Sequence, residues 1–536
     1  MPGERMNRRT YLKFAGGAAA TATVAGCTGG DGNQNQNQTG TTGTTTSGDG
    51  TGKTPENFPV TITQGQMPST LDPHNHRETT TDNVVLQAYE GLLSRDAKGK
   101  IVQKLATKYE RVEKGTVKFT IREGVKFHQG GNLTPDDVAY SINRVVKPKT
   151  GIESPQSDQL SGVTGAEVVD GERAVRVNSD GINPIVFSLF ASYCDIVQKS
   201  WVESNNNNIA KKINGTGPFK LQNYREDVSV VFTRNENYWQ DPAAVSKLTF
   251  KAAKSSSTRV NQLINGETDI VVNVPPQDAG RVKSSQNTRL AAVPSTRIIY
   301  NAMRYDVEPF SSPKFRRAMN LAIDLQSIIK NVLSGFADQT GQPTLKNFTG
   351  YNSNVKPYPT NKQKAERLVE ESGHAGATIK LHTPVGRYLK DVEIAQAVAE
   401  QINQLKNVNC SVQQRDFNAL AGQLTDGNLK SSPKFYLIGW GNATFDASQT
   451  IIPLLTTDGA LTSYSNEQVD KLMSEAQSMP DGNKRNAKLK EVNKLIHDQA
   501  PWIFLNQQYS VYGVSQRLQW KARTDERIEA YDISAK

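Results

Sequence analysis

Residues 119–141 read FTIREGVKFHQGGNLTPDDVAYS, and this stretch decides the fold. Together with Val117 and Lys118, its opening residues alternate apolar and polar positions, as a half-buried strand does. Thr134-Pro135-Asp136-Asp137 then supplies an N-cap, a proline at the first helical position and an acid at the third. The spacing predicts a helix from Pro135 to about Arg144. Asp136 and Asp137 therefore read as a cap that complements the helix dipole, not as a catalytic dyad.

The same alternation of element types continues outward. Pro59–Gln64 (PVTITQ) and Val228–Phe232 read as strands. Ser312-Pro313 opens a helix running to about Ile323, and Val392, Ala395, Ala399, Ile402 and Leu405 share one helical face. Ser465 with Gln468 is expected to cap a helix carrying Val469, Leu472, Met473 and Ala476. Leu489, Val492, Leu495 and Ile496 mark another helix. Strands interleaved with helices give an α/β chain, and no fixed-period repeat is present.

The chain has 536 residues, enough for about three domain-sized units. Its charged fraction of 22% and hydrophobic fraction of 36% are those of a water-soluble body. The net charge of +10 is spread thinly and forecasts no nucleic-acid groove. Three cysteines are too few for a disulfide scaffold or a four-cysteine zinc site. No apolar run reaches the ~18 residues of a membrane-spanning helix.

The first thirty residues read as an address. Arg8 and Arg9 precede Tyr11, Leu12 and Lys13, and a mild Ala/Gly-rich apolar stretch runs from Phe14 to Ala25. Val24-Ala25-Gly26-Cys27 resembles a lipobox, in which the cysteine is lipidated and becomes the new N-terminus. Residues 1–26 are thus expected to be a twin-arginine lipoprotein signal peptide. Its removal takes away four basic residues and one acid, which leaves about +7. Residues 27–53 hold Gly, Thr, Asn and Gln with no large apolar side chain, the composition of a flexible tether. Asp49-Gly50-Thr51-Gly52-Lys53-Thr54 lacks the first glycine of a phosphate loop, because Ser47 stands there.

In order along the body, these landmarks resemble the family 5 extracellular solute-binding proteins of ABC importers, the dipeptide, oligopeptide and nickel-binding group. Ser69–His74, Tyr89-Glu90-Gly91-Leu92-Leu93 and the 119–141 block carry the likeness first. Gly215-Thr216-Gly217-Pro218-Phe219, Asn237-Tyr238-Trp239 and Gly266-Glu267-Thr268-Asp269 follow. Phe315–Asp324, Ile438-Gly439-Trp440-Gly441 and Ala500-Pro501-Trp502-Ile503 complete it, from about Val60 to Gln519. The glycines of the GTGP turn are expected to allow backbone conformations that other residues avoid.

The resemblance implies a two-lobed periplasmic-binding-protein fold of the type II kind, α/β, with an extra inserted subdomain. Lobe one is expected at 54–76, 208–290 and 501–536, the inserted subdomain at 77–207 and lobe two at 291–500. The implied function is capture of a small solute between the lobes for delivery to an ABC permease and its ATPase. No covalent chemistry, cofactor or metal is called for, and the chain is expected to be a lipid-anchored monomer on the extracytoplasmic face.

The ligand-binding candidates are Met67, Arg387, Tyr388, Trp440, Gly441, Asn442, Phe445 and Asp446. Met67 follows the first strand and offers an adaptable apolar contact or ordinary packing. Trp440–Asp446 resembles the family's ligand-facing W-x-x-D-x-x-D stretch. Its first acid, which binds the amino group of peptides in relatives, is Ala443 here, and Asp446 stands as ligand group or structural residue. Arg387 can fork onto a carboxylate or lie solvated. His74 and His76 offer only two metal ligands, too few to define a site. Cys194 and Cys410 are expected as free, buried thiols.

A di- or oligopeptide leads as solute, with an oligosaccharide or metal chelate as alternatives, since Trp440, Phe445 and Tyr464 suit sugar stacking equally. A surface sensor without transport is a further class. An enzyme reading finds no G-x-S-x-G, no H-E-x-x-H and no paired acids at a glycosidase spacing.

Overall fold

The structure, a computed structural model, describes residues 57–536 apart from 77, 158, 161, 426, 427 and 460. The export signal, Cys27 and the expected tether lie outside the described residues. The chain opens on β1 (Pro59–Gln64) and makes a hairpin of β2 (Leu93–Arg95) and β3 (Ile101–Gln103). A four-stranded antiparallel sheet follows, from β4 (Ala106–Glu113), β5 (Thr116–Ile121), β6 (Val163–Val168) and β7 (Ala174–Ser179), in the order β4-β5-β7-β6.

The main sheet has eleven strands. Beyond β1 it takes β8 (Phe219–Arg225), β9 (Ser229–Arg234), β10 (Lys247–Ala252), β11 (Ile270–Val272) and β12 (Thr288–Met303). It continues with β13 (Ala337–Gln339), β14 (Ala377–Pro384), β15 (Val408–Arg415), β16 (Phe435–Gly441) and β17 (Trp502–Ser515). Its order is β15-β14-β16-β12-β17-β11-β1-β10-β9-β8, with β13 on the side of β17. A short pair, β18 (Leu518–Gln519) and β19 (Ser534–Ala535), ends the chain.

The two long strands belong to both halves of this sheet. Residues 288–294 of β12 pair with 509–515 of β17, on the side of β11 and β1. After a register break between Pro294 and Ile298, residues 298–302 pair with 502–507, on the side of β16. Proline has no N–H for the ladder, so Pro294 suits the point where pairing lapses. The lobe edges expected at 290/291 and 500/501 thus fall inside β12 and just before β17. The apolar interior is divided accordingly. One core gathers Val60, Ile62, Phe219, Phe232 and Phe250, and the four-stranded sheet packs its own around Phe119, Val177 and Phe190. The far half has two, one around Phe315, Leu381 and Phe435 and one around Ile451, Leu489 and Trp502.

Local chemistry matches much of the sequence reading. The helix Pro135–Val146 carries a complete capping box between Thr134 and Asp137, which places Asp137 in a structural role. The helix Glu467–Gln477 is capped by Asn466 instead of Ser465. The Asn466 side chain accepts from the N–H groups of Gln468 and Val469, while the Ser465 hydroxyl meets Thr457. In the GTGP turn neither glycine has positive φ. The need there is space: a Cβ on Gly215 would lie 1.9 Å from the Ala88 carbonyl oxygen, and Gly217 donates its N–H to that same oxygen.

Several family-like motifs converge on one buried acid. Glu90 accepts from Tyr238 Oη at 2.6 Å, Thr216 Oγ1 at 2.7 Å and Trp239 Nε1 at 3.0 Å, with Lys104 Nζ at 3.3 Å. Similarly, Arg316 donates to the carbonyls of Phe310, Ser311 and Gln499, tying its helix to the segment before β17. These motifs hold the fold together, because a buried polar group needs its partners on hand.

Candidate functional site

The segment after β16 forms the junction between the two halves. Ser192 Oγ donates to the Ala443 carbonyl at 2.8 Å, Arg95 Nη2 to the Thr444 carbonyl at 2.9 Å, and Gln449 Nε2 to Tyr193 Oη at 2.8 Å. The Arg95 guanidinium lies over the Phe445 ring, 4.7 Å from its centre. Phe445 has a φ of +59° and packs on Phe348 at 4.9 Å. Residues from the β2–β3 hairpin and from 192–193 thus press directly on the 443–449 loop.

Three of the candidate residues are occupied by the fold itself. Asp446 is 3% exposed and forms a two-pronged ion pair with Arg485, at 2.6 and 2.8 Å. Ser448 adds its N–H and hydroxyl to the same carboxylate. Both oxygens are therefore engaged, which makes Asp446 the anchor of its loop and not a ligand group. Asn442 is also buried: it donates to the Asp446 carbonyl and Thr450 Oγ1, and accepts from Thr444. Met67 sits in the core with Leu71 and Val60 because its flexible thioether fills space there, so it is a packing residue. Tyr464, weighed for sugar stacking, lies in the core edge-on to Tyr305.

The remaining candidates gather beside the register break of β12. Arg297 pairs in register with Gly441, and its guanidinium fills the space a side chain there would take, 3.0 Å from an ideal Cβ. Arg297 Nη2 meets Glu526 Oε2 at 3.1 Å, which joins the strand crossover to the C-terminal segment. Tyr388 is buried, and its hydroxyl donates to the Gly439 carbonyl. Arg387 is exposed, with its guanidinium 5.0 Å from the Tyr388 ring centre and 5.1 Å from that of Phe417. It has no carboxylate partner among the described residues. Trp440 is half-buried, and its Nε1 has no hydrogen-bond partner. Arg297 and Glu526 were not foreseen, since nothing local in the sequence marks a strand break or a C-terminal return.

The histidine pair does not form a metal site. His74 Nδ1 meets Arg144 and its Nε2 meets the Asp195 carbonyl, so both ring nitrogens are engaged. Burial and the Arg144 charge, against the attraction of Asp72, bring its pKa down to about 4. No group of three or more metal-binding side chains occurs among the described residues. Cys194 and Cys410 are free and buried, and burial raises both thiols, Cys410 to about 12.

This geometry can be set beside known proteins. The family described as "Bacterial extracellular solute-binding proteins, family 5 Middle" matches residues 100–461. The glutathione-binding protein GsiB of Salmonella typhimurium is 25% identical over 456 residues, covering 83% of this chain and 88% of its own length. Among solved structures, CtaP of Listeria monocytogenes aligns with a TM-score of 0.80 at 20% identity, over 89% of this chain and 99% of its own. DppA of Helicobacter pylori, in complex with the peptide STSA, aligns at 0.77 and 20% identity, over 89% and 98%. The two-lobed fold expected from the sequence is thereby established, and the chain belongs to the bacterial extracellular solute-binding proteins of family 5.

Proposed function

We propose that this protein captures a small peptide-like solute bearing a carboxylate between its two halves and presents the closed complex to an ABC import permease. The observation that carries the reading is Arg387. An exposed guanidinium stacked on two aromatic rings, with no acid of its own, is a prepared receptor for a planar anion. Trp440 pairs in register with Ile298, one residue from the Arg297–Gly441 pair, and so turns to the other face of the sheet, where it packs half-buried against the core around Ile451 and Trp502. The solutes named for two relatives, glutathione and the peptide STSA, bear carboxylates, which supports the same chemistry. Binding energy here drives closure and not bond breaking, so turnover of the solute is not expected.

The same reading keeps the lobes along the two halves of the main sheet, with 77–207 inserted and β12 and β17 as the hinge. It also keeps Arg8 and Arg9 as an export signal, Cys27 as the lipidated residue and 27–53 as a tether beside the permease. A thermal-shift screen of di- to pentapeptides and glutathione on the purified chain tests the proposal, because a ligand selective for the folded form raises Tm by mass action. Arg387→Ala should weaken the best peptide about tenfold or more, with the apo Tm unchanged. If no peptide shifts Tm, or if Arg387→Ala binds as tightly as wild type, the reading fails.

A further inference from the structure

Behind the contact between Ser192 and Ala443 lies a cavity of about 40 Å³, walled by segments 86–94, 190–195 and 527–531. That is room for about three water-sized groups. Five charged side chains face it: Glu90, Lys104, Asp195, Arg527 and Glu529. Four have partners. Glu90 holds Thr216, Tyr238, Trp239 and Lys104, Arg527 donates to the Ser192 carbonyl at 2.6 Å, and Glu529 lies 3.6 Å from Arg523. Asp195 differs. Its backbone carbonyl meets His74, but among the described residues no hydrogen bond reaches its carboxylate.

Asp195 is half-buried, and that burial without a donor pushes its pKa up to about 6 even with Arg527 facing it. His76, whose charge Asp195 also senses, is 3% exposed with neither ring nitrogen hydrogen-bonded. Asp82 and Glu90 are the other charges Asp195 senses, both of its own sign. The loop across the junction offers no competing acid, because position 443 is alanine and Asp446 is tied to Arg485. The site therefore has one negative group that no donor meets among the described residues, and a small space lined in part by Ser192, which touches the loop across the junction.

We propose that this cavity is the subsite for a primary ammonium group of the solute, with Asp195 as its counter-charge and Ser192 at its mouth. The proposal rests on the solute-binding reading above and adds a recognised cation to the carboxylate that Arg387 would hold. The cavity accepts an ammonium and its first methylene, and is too small for a quaternary ammonium.

The test uses butylamine hydrochloride on the purified full chain, with butanol and tetramethylammonium chloride as controls. At tens of millimolar and about pH 8, butylamine should raise Tm by a few degrees and the controls should not. Asp195→Asn should abolish the shift. Independently of that variant, the wild-type shift should vanish near pH 5, where Asp195 is protonated. No butylamine shift, an equal shift from tetramethylammonium, or a shift that survives both Asp195→Asn and low pH overturns the subsite. These probes carry no carboxylate, so that failure leaves peptide capture standing. A positive butylamine response with no peptide binding overturns peptide capture alone.

Discussion

Arg485 places both terminal nitrogens of its fully buried guanidinium on the carboxylate of Asp446, at 2.6 and 2.8 Å, and thereby fixes the loop that follows Trp440. Arg485 lies on the helix Asn483–Gln499, whose own core residues pack beneath that loop. The pair lies beneath that loop, closed to solvent.

Removing one partner strands the other without water. Asp446→Ala should therefore cost about 3–5 kcal/mol of stability, the range for a broken buried ion pair. Chemical denaturation measures it. An unchanged midpoint would show that Arg485 finds another partner. Any accompanying loss of solute affinity should be recovered in Asp446→Asn, which keeps the hydrogen bonds to Ser448.

Arg95 bridges the halves twice, through the Thr444 carbonyl and over the Phe445 ring. It also accepts at its own carbonyl from Arg523 of the C-terminal segment. Arg95→Ala should shift the solute-free protein toward a more open form, seen as a larger radius of gyration in X-ray scattering. Affinity should fall several-fold, since closure then draws on solute contacts alone. Scattering curves identical to wild type would remove Arg95 from any part in closure.

Acid should destabilise the protein between about pH 6.5 and pH 4. Burial holds His74 and His128 neutral, each with a pKa brought down to about 4. The unfolded chain takes up these protons below about pH 6.5 while the folded one does not, so stability falls through this window, by up to roughly 3 kcal/mol for each histidine. Asp195 acts in the opposite sense: its pKa is raised to about 6, so the folded form gains its proton first and is favoured as pH drops toward 4. Asp82, Asp391 and Asp532, raised by burial, act with Asp195, while His382 and His497, lowered by burial, act with the first two histidines; the larger shifts of His74 and His128 leave a net loss. Urea midpoints that stay flat or rise from about pH 7 to pH 4.5 contradict it.

Gly215 cannot gain a side chain. A methyl group there would overlap the Ala88 carbonyl oxygen at 1.9 Å, and the obstacle is backbone that cannot rotate away. Gly215→Ala should fail to accumulate as folded protein. The parallel change at Gly422, where nothing lies within 4 Å of an added Cβ, should be tolerated. Circular dichroism of the two variants decides it.

Much of the fold was legible because its signals are local. Alternation marks β1 and β5, and a cap with proline marks the helix from Pro135, so each element announces itself within a few residues. The family-like motifs added order along the chain, and Glu90 shows why they travel together: three of them meet on one carboxylate. The site was less legible because its parts come from far apart. Arg297 acquires its place from a strand break, Glu526 from a return of the C-terminal segment, and Asp195 from the partners its neighbours have already taken. Asp446 and Asn442 show the converse: their polar side chains are consumed locally, a fact that only the position of Arg485 reveals.

The final long strand, β17, is stitched to both sides of the main sheet. Neither side can finish its backbone pairing without it. A variant that loses this strand would expose two raw sheet edges, one on β11 and one on β12, an invitation to aggregate.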